Sequence, residues 1–111
     1  MNWLPLTSAD QLNQIKSAAG YSIIFKHSTR CPISSMAKRK VELDWDSLPS
    51  NTPLYYLDLI AYREVSNLVA GLFEVHHESP QLLLIKDGEC IYESSHGDIS
   101  IDETMDQMEL S

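Results

Sequence analysis

The sequence predicts an α/β fold, a four-stranded mixed sheet with helices on both faces. Three observations predict it. Short β-rich apolar runs, YSIIFK, LYYLDLI and QLLLIK, alternate with segments of helical apolar spacing. Asp87-Gly88, between two strand-like runs, is a two-residue hairpin signal. Ser8-Ala9-Asp10-Gln11 and Ser100-Ile101-Asp102-Glu103 are capping-box patterns that mark helix starts. No internal repeat, low-complexity tract or linker divides the chain, so residues 1–111 are expected to form a single domain.

Each element has its own signal. After Ser8, the residues Leu12, Ile15 and Ala19 recur at helical spacing, and Gly20 is a natural stop. Tyr21 to Lys26 reads as a buried strand. Ser28-Thr29-Arg30-Cys31-Pro32 is a turn, and Pro32 suits the first turn of a helix, where its missing N–H costs nothing. Ile33, Ala37 and Val41, flanked by Met36 and Leu43, predict the apolar face of a helix running to about Trp45. Leu48 to Pro53 is a loop, and Leu54 to Ile60 a second strand. Val65, Leu68, Val69, Leu72 and Val75 predict a helix over 63–75. Ser79-Pro80 breaks the chain before a third strand, Gln81 to Lys86. The hairpin leads into a fourth strand, Glu89 to Ser95, and Gly97 turns the chain into a last helix with Ile101, Met105 and Met108 on its apolar face. Helices join the first strand to the second and the second to the third, which predicts right-handed parallel crossovers.

Charge is unevenly spread. Eight basic and sixteen acidic side chains give a net charge of −8. So acidic a chain is a poor general partner for nucleic acid or an anionic membrane. Its longest uninterrupted apolar run, Leu82 to Ile85, is far short of a membrane span. No basic residue precedes Lys16, so the charged start of a signal peptide is missing. Lys26, Arg30, Lys38, Arg39 and Lys40 nevertheless fall in one window without an acidic residue. That window is +5, and the three other basic and sixteen acidic residues make the rest −13. Cys31 lies inside it. Two cysteines 59 positions apart make neither a disulfide scaffold nor a CxxC zinc site, and a reducing, cytoplasmic setting is expected.

Cys31 is the candidate nucleophile. A position between a strand and Pro32 puts it at a helix N-cap, where free N–H groups and the helix dipole favour a thiolate. Arg30 and the basic helix add positive charge, and His27 is close enough in sequence to assist. Ser34 stands three residues on, where a dithiol enzyme carries its second cysteine, and its hydroxyl could hydrogen-bond the thiolate. A CxxS centre stops at a mixed disulfide and needs an outside thiol. Cys90 follows the hairpin, which topology places at the far end of the sheet from Cys31, so core packing is its expected role. Pro80 leads into the third strand near the Cys31 end, where the Ser79 backbone could meet an extended partner. His76 and His77 are expected at a helix C-terminus, and no His or Cys pair has the tight spacing of a metal site, so no metal is expected.

Phe25-Lys26-His27-Ser28-Thr29-Arg30-Cys31-Pro32-Ile33-Ser34, with His77-Glu78-Ser79-Pro80-Gln81 and the late Ser95-His96, resembles the bacilliredoxin C family, also called the YtxJ family. The element order resembles the thioredoxin-like fold. The resemblance implies a monothiol oxidoreductase of bacteria that use bacillithiol in place of glutathione. It implies that Cys31 takes bacillithiol from S-bacillithiolated proteins, that a second thiol then frees Cys31, and that Pro80 is a cis-proline facing the cysteine. Bacillithiol is then a co-substrate and no cofactor is bound. Its malate group is anionic, and Lys26, Arg30 and Lys38 are the expected attractors. Two rivals stand beside this reading: a thiol peroxidase, and a non-catalytic redox-sensing or binding module. Oligomeric state is not legible in the sequence.

Overall fold

The computed structural model describes residues 1–111. Its elements are β1 (Leu4–Pro5), α1 (Ala9–Ser17), β2 (Tyr21–His27), α2 (Pro32–Asp44), β3 (Leu54–Asp58), α3 (Arg63–Leu72), β4 (Gln81–Lys86), β5 (Glu89–Ser95) and α4 (Ile101–Leu110). Short 3-10 turns lie at Trp45–Ser47 and His96–Asp98. The sheet has five strands in the order β1-β3-β2-β4-β5. The strand absent from the sequence prediction, β1, is two residues long and pairs parallel with β3 at the sheet edge. Two residues carry no periodicity, and an edge is where a strand tolerates Pro5.

The first crossover is parallel as expected: β2 and β3 run side by side, with Lys26 opposite Leu57 and His27 opposite Asp58. The second connection departs from the expectation, because β4 runs antiparallel to β2. The cause lies after α3. That helix ends at Leu72, three residues before the predicted end, and Glu74 takes a φ of 55° that turns the chain back. Residues 73–80 then return to the end of the sheet that β3 has just left. Gln81 pairs there with Lys26, so β4 starts where β2 ends.

Period-two alternation divides the central strands between two cores. Ile24, Leu57, Leu83 and Ile85 pack with Leu12 and Ile15 of α1 and Val65 and Val69 of α3. Ile23, Phe25, Leu82 and Leu84 pack with Ala37 and Val41 of α2 and Ile101 of α4. Ser8 caps α1 in a full capping box with Gln11. Ala19 lies beyond that helix, exposed. Ser100 caps α4 from one side only, by accepting from Glu103 N–H. The bend before α4 takes its positive φ at His96 rather than at Gly97.

The predicted face of α2 is buried only in part. Its buried residues are Ser34, Ala37 and Val41, whereas Ile33, Met36 and Leu43 are 56%, 72% and 77% exposed. Ala37 and Val41 are buried as predicted, but the first turn anchors at Ser34 instead of Ile33, about 100° round the helix. Ser34 is drawn inward by hydrogen bonds that apolar spacing cannot reveal.

Candidate active site

The end of β2, the turn at 28–31 and the start of α2 build the site. Cys31 is the N-cap of α2, with extended backbone (φ −110°, ψ 116°), and Pro32 is the first helical residue. Its N–H donates to the Ser28 carbonyl at 3.2 Å, and its carbonyl accepts from Ser35 N–H at 3.1 Å. Helical bonding therefore begins at Ser35, leaving the N–H groups of Ile33 and Ser34 at the helix start. The Cys31 thiol is free, partly exposed and makes no capping bond. A sulfur anion at this position meets unpaired amides and the positive end of the helix.

Ser34 does not serve the thiol. It is fully buried, accepts from Ser28 N–H at 3.0 Å and lies 2.7 Å from His27 Nδ1. All groups are satisfied when the Ser34 hydroxyl donates to Nδ1 and the imidazole carries its proton on Nε2. His27 is buried, stacked on Phe25 and tilted against Tyr56. Burial, and then the nearby Lys38 charge, push its pKa below the ordinary 6.5. The ring is neutral at neutral pH and supplies no charge to a thiolate. It props the Ser34 hydroxyl instead.

Few of the five window charges reach the site. Lys26 is completely buried on the α1–α3 side of the sheet, because strand alternation sends it to the face opposite His27. Its Nζ donates to the Ser66 carbonyl at 3.2 Å and bonds His77 Nδ1 at 3.1 Å. Lys38 is held by Glu42 at 2.6 Å and lies over the rings of Trp3 and Tyr56. Arg30, Arg39 and Lys40 remain exposed, and none makes an ion pair. Arg30 adjoins Cys31, and Lys40 lines a cleft of about 370 Å³ with Ile33, Met36, His96 and Gly97.

The Ser79-Pro80 peptide is cis. Pro80 is buried, and its carbonyl accepts from His96 N–H at 3.1 Å. Register places it one step beyond the Lys26–Gln81 pair, at the end of β2 from which the chain leads to Cys31. The Ser79 N–H and carbonyl take part in no backbone hydrogen bond, and its buried hydroxyl has no partner. Two neighbours had no role assigned from the sequence. Asp58 ends β3 beside His27, and its carboxylate accepts from Ile60 N–H at 3.1 Å and Ala61 N–H at 3.3 Å. Glu78 lies 3.6 Å from His96 and 3.8 Å from His76, tying the loop before Pro80 to the turn before α4. The rule that sites gather at the carboxyl ends of parallel strands would have pointed to Asp58. His76 and His77 lie past the end of α3, outside its last turn.

Cys90 is far from all of this. It pairs with Ile85 at the hairpin end of the sheet, packs against the α1–α3 core and donates to the Tyr92 carbonyl at 3.4 Å. Burial pushes its thiol up to about 11. Cys31 follows the opposite end of seven-residue β2, roughly 20 Å away along the strand at about 3.3 Å per residue.

Several solved structures share this architecture. One, described only as a candidate oxidoreductase with a thioredoxin fold, is 30% identical, with 96% of this chain and 93% of that chain covered at a TM-score of 0.83. Thioredoxin from Malassezia sympodialis is 16% identical, covering 98% of this chain and 90% of its own at 0.75. Thioredoxin from Trypanosoma brucei brucei is 13% identical, covering 98% and 88% at 0.74. The last two show the fold alone. A single thiol at the head of α2, a serine in the partner position and a cis-proline alongside are a monothiol variant of that fold. Residues 4–104 match the family described as monothiol bacilliredoxin BrxC, and the chain belongs to that family.

Proposed function

We propose that this thiol oxidoreductase removes bacillithiol from proteins in a reducing cytoplasm, with Cys31 as the only reacting residue. The observation that carries the reading is the isolation of Cys31: Ser34 occupies the partner position, and Cys90 lies at the other end of the sheet. The Cys31 thiolate attacks the bacillithiol sulfur of a protein mixed disulfide. A Cys31–bacillithiol disulfide forms, and the protein cysteine leaves as thiolate. A second bacillithiol thiolate then attacks the adduct, giving bacillithiol disulfide and free Cys31 thiolate. Both steps are thiol–disulfide exchanges and need no bound cofactor.

Positions for both partners support the reading. The unpaired Ser79 backbone offers an extended protein segment a place to pair. The cleft of Ile33, Met36, Lys40 and His96 offers apolar wall and positive charge to the malate-bearing thiol, and the exposed Arg30 directly precedes Cys31 in the chain. Lys26 and Lys38, expected earlier to attract the anion, are committed elsewhere.

Charge reversal tests the choice of thiol. Arg30→Glu and Lys40→Glu should slow transfer from a bacillithiol mixed disulfide several-fold, with less effect on transfer from a neutral small-thiol disulfide and a gap that narrows with salt. Equal slowing of both substrates contradicts the assignment. Rapid peroxide consumption without transfer points to a peroxidase, and a Cys31 adduct that no thiol can release points to a sensor.

A further inference from the structure

A buried lysine that takes no part in the chemistry lies beneath the loop that carries Pro80. We propose that Lys26 and His77 are a positioning pair that holds residues 76–79, and through them Ser79 and Pro80, in place beside Cys31. This rests on Cys31 being the reacting thiol, but not on which small thiol it receives.

Lysine is almost never fully buried unless paired. Lys26 lies wholly inside, on the same face of β2 as Ile24, whose neighbours are apolar. Replacing a buried charge with an apolar side chain of similar size is often neutral or stabilising, so stability alone does not explain an ammonium here. What it does is join three elements: from β2, Nζ reaches the Ser66 carbonyl on α3 and the His77 ring on the loop. His77 is exposed apart from this bond and sits two residues before Ser79. The loop has other bonds, some of them from Gln81 at the head of β4. Val75 N–H donates to the Ala70 carbonyl, the Gln81 side chain bonds the His76 carbonyl and Glu78 N–H, and Glu78 pairs with His76 and His96 at the surface. Lys26 is the tie that reaches the His77 side chain, between the two backbone groups that Gln81 holds.

The pair has a defined protonation state. His77 Nδ1 accepts from the ammonium only while its ring is neutral. Burial and the Lys26 charge lower the His77 pKa below 6.5, with Arg63 on α3 and His76 acting the same way and Glu78 opposing them. Burial lowers Lys26 to about 8. At neutral pH a charged lysine therefore faces a neutral histidine. In acid, His77 gains a proton on Nδ1, two donors face each other, and the tie is lost.

The test follows the reaction of reduced protein with a peptide mixed disulfide from about pH 5 to 8, across the histidine range. Lys26→Met should slow transfer about tenfold while leaving the unfolding midpoint in urea unchanged or raised. His77→Ala should slow it similarly, and His77→Gln, which keeps an acceptor but cannot titrate, should restore most of the rate. The ratio of the wild-type rate to the His77→Gln rate should fall below the pH at which His77 titrates. Taking the ratio removes any pH dependence that both proteins share. If all variants follow the wild type at every pH, the pair positions nothing and the proposal is overturned, while Cys31 keeps its role. If Lys26→Met does not fold, the exposed His77 substitutions decide alone. A wild-type protein that reacts with no disulfide overturns the reading of Cys31 and removes the pair's role with it.

Discussion

At Ser34 one hydroxyl serves two partners, the Ser28 N–H and the His27 ring, and so fixes the turn from which Cys31 projects. Removing it strands a buried nitrogen and an amide. Ser34→Ala should cost about 1–3 kcal/mol of stability, the usual penalty for unsatisfied buried groups. Urea unfolding measures this, and a loss below about 0.5 kcal/mol means that water replaces the hydroxyl. Cys31 itself was legible in the sequence, because a cysteine between a strand and a proline has few other places to be. Lys26 was not. Its charge suggested a surface, but its position in a seven-residue strand decided its burial, and only the pairing of β2 with both β3 and β4 reveals that. His27 misled in the same way: nearness in sequence to Cys31 suggested charge, whereas burial keeps the ring neutral.

Among the elements, the β4–β5 hairpin shows how local signals and tertiary packing agree. Asp87 and Gly88 both take positive φ, 50° and 82°, as a tight hairpin turn requires. A Cβ on Gly88 would collide with the backbone carbonyl of Lys16 in α1, so the turn is also a docking point for that helix. Gly88→Ala should therefore lower stability by more than the roughly 1 kcal/mol expected of left-handed strain alone. A thermal shift no larger than that strain implies would show that α1 moves aside freely. The helices and the four longer strands were readable from periodicity, capping boxes and turn residues. The antiparallel entrance of β4 was not, since it depends on the reversal at Glu74, a residue type that carries no strong turn signal. The first turn of α2 was misread for a related reason: its inward anchor is a serine held by hydrogen bonds, and apolar spacing does not see it.

Over the whole molecule, the net charge of −8 hides a buried and a half-buried group with opposite pH behaviour. Lys26 loses its proton near 8 in the native state and at the ordinary 10.5 when unfolded. Between those values the unfolded chain binds more protons, so stability rises with pH. Cys90 holds its proton to about 11 in the native state and loses it near 9.0 when unfolded, so its contribution falls through that window. Stability of Cys90→Ala should climb from about pH 8 to 9.5, and the climb should vanish when Lys26→Met is added. A flat profile in Cys90→Ala would mean that Lys26 reaches water. The central claim concerns the other cysteine and has a more direct test. Reduced protein is mixed with an S-bacillithiolated protein, and each chain is weighed by mass spectrometry. The account predicts that the bacillithiol mass leaves the substrate, appears on the Cys31 peptide, and departs again when free bacillithiol is added, with no transfer to Cys31→Ala. Adduct on Cys90, or transfer that survives in Cys31→Ala, would contradict it.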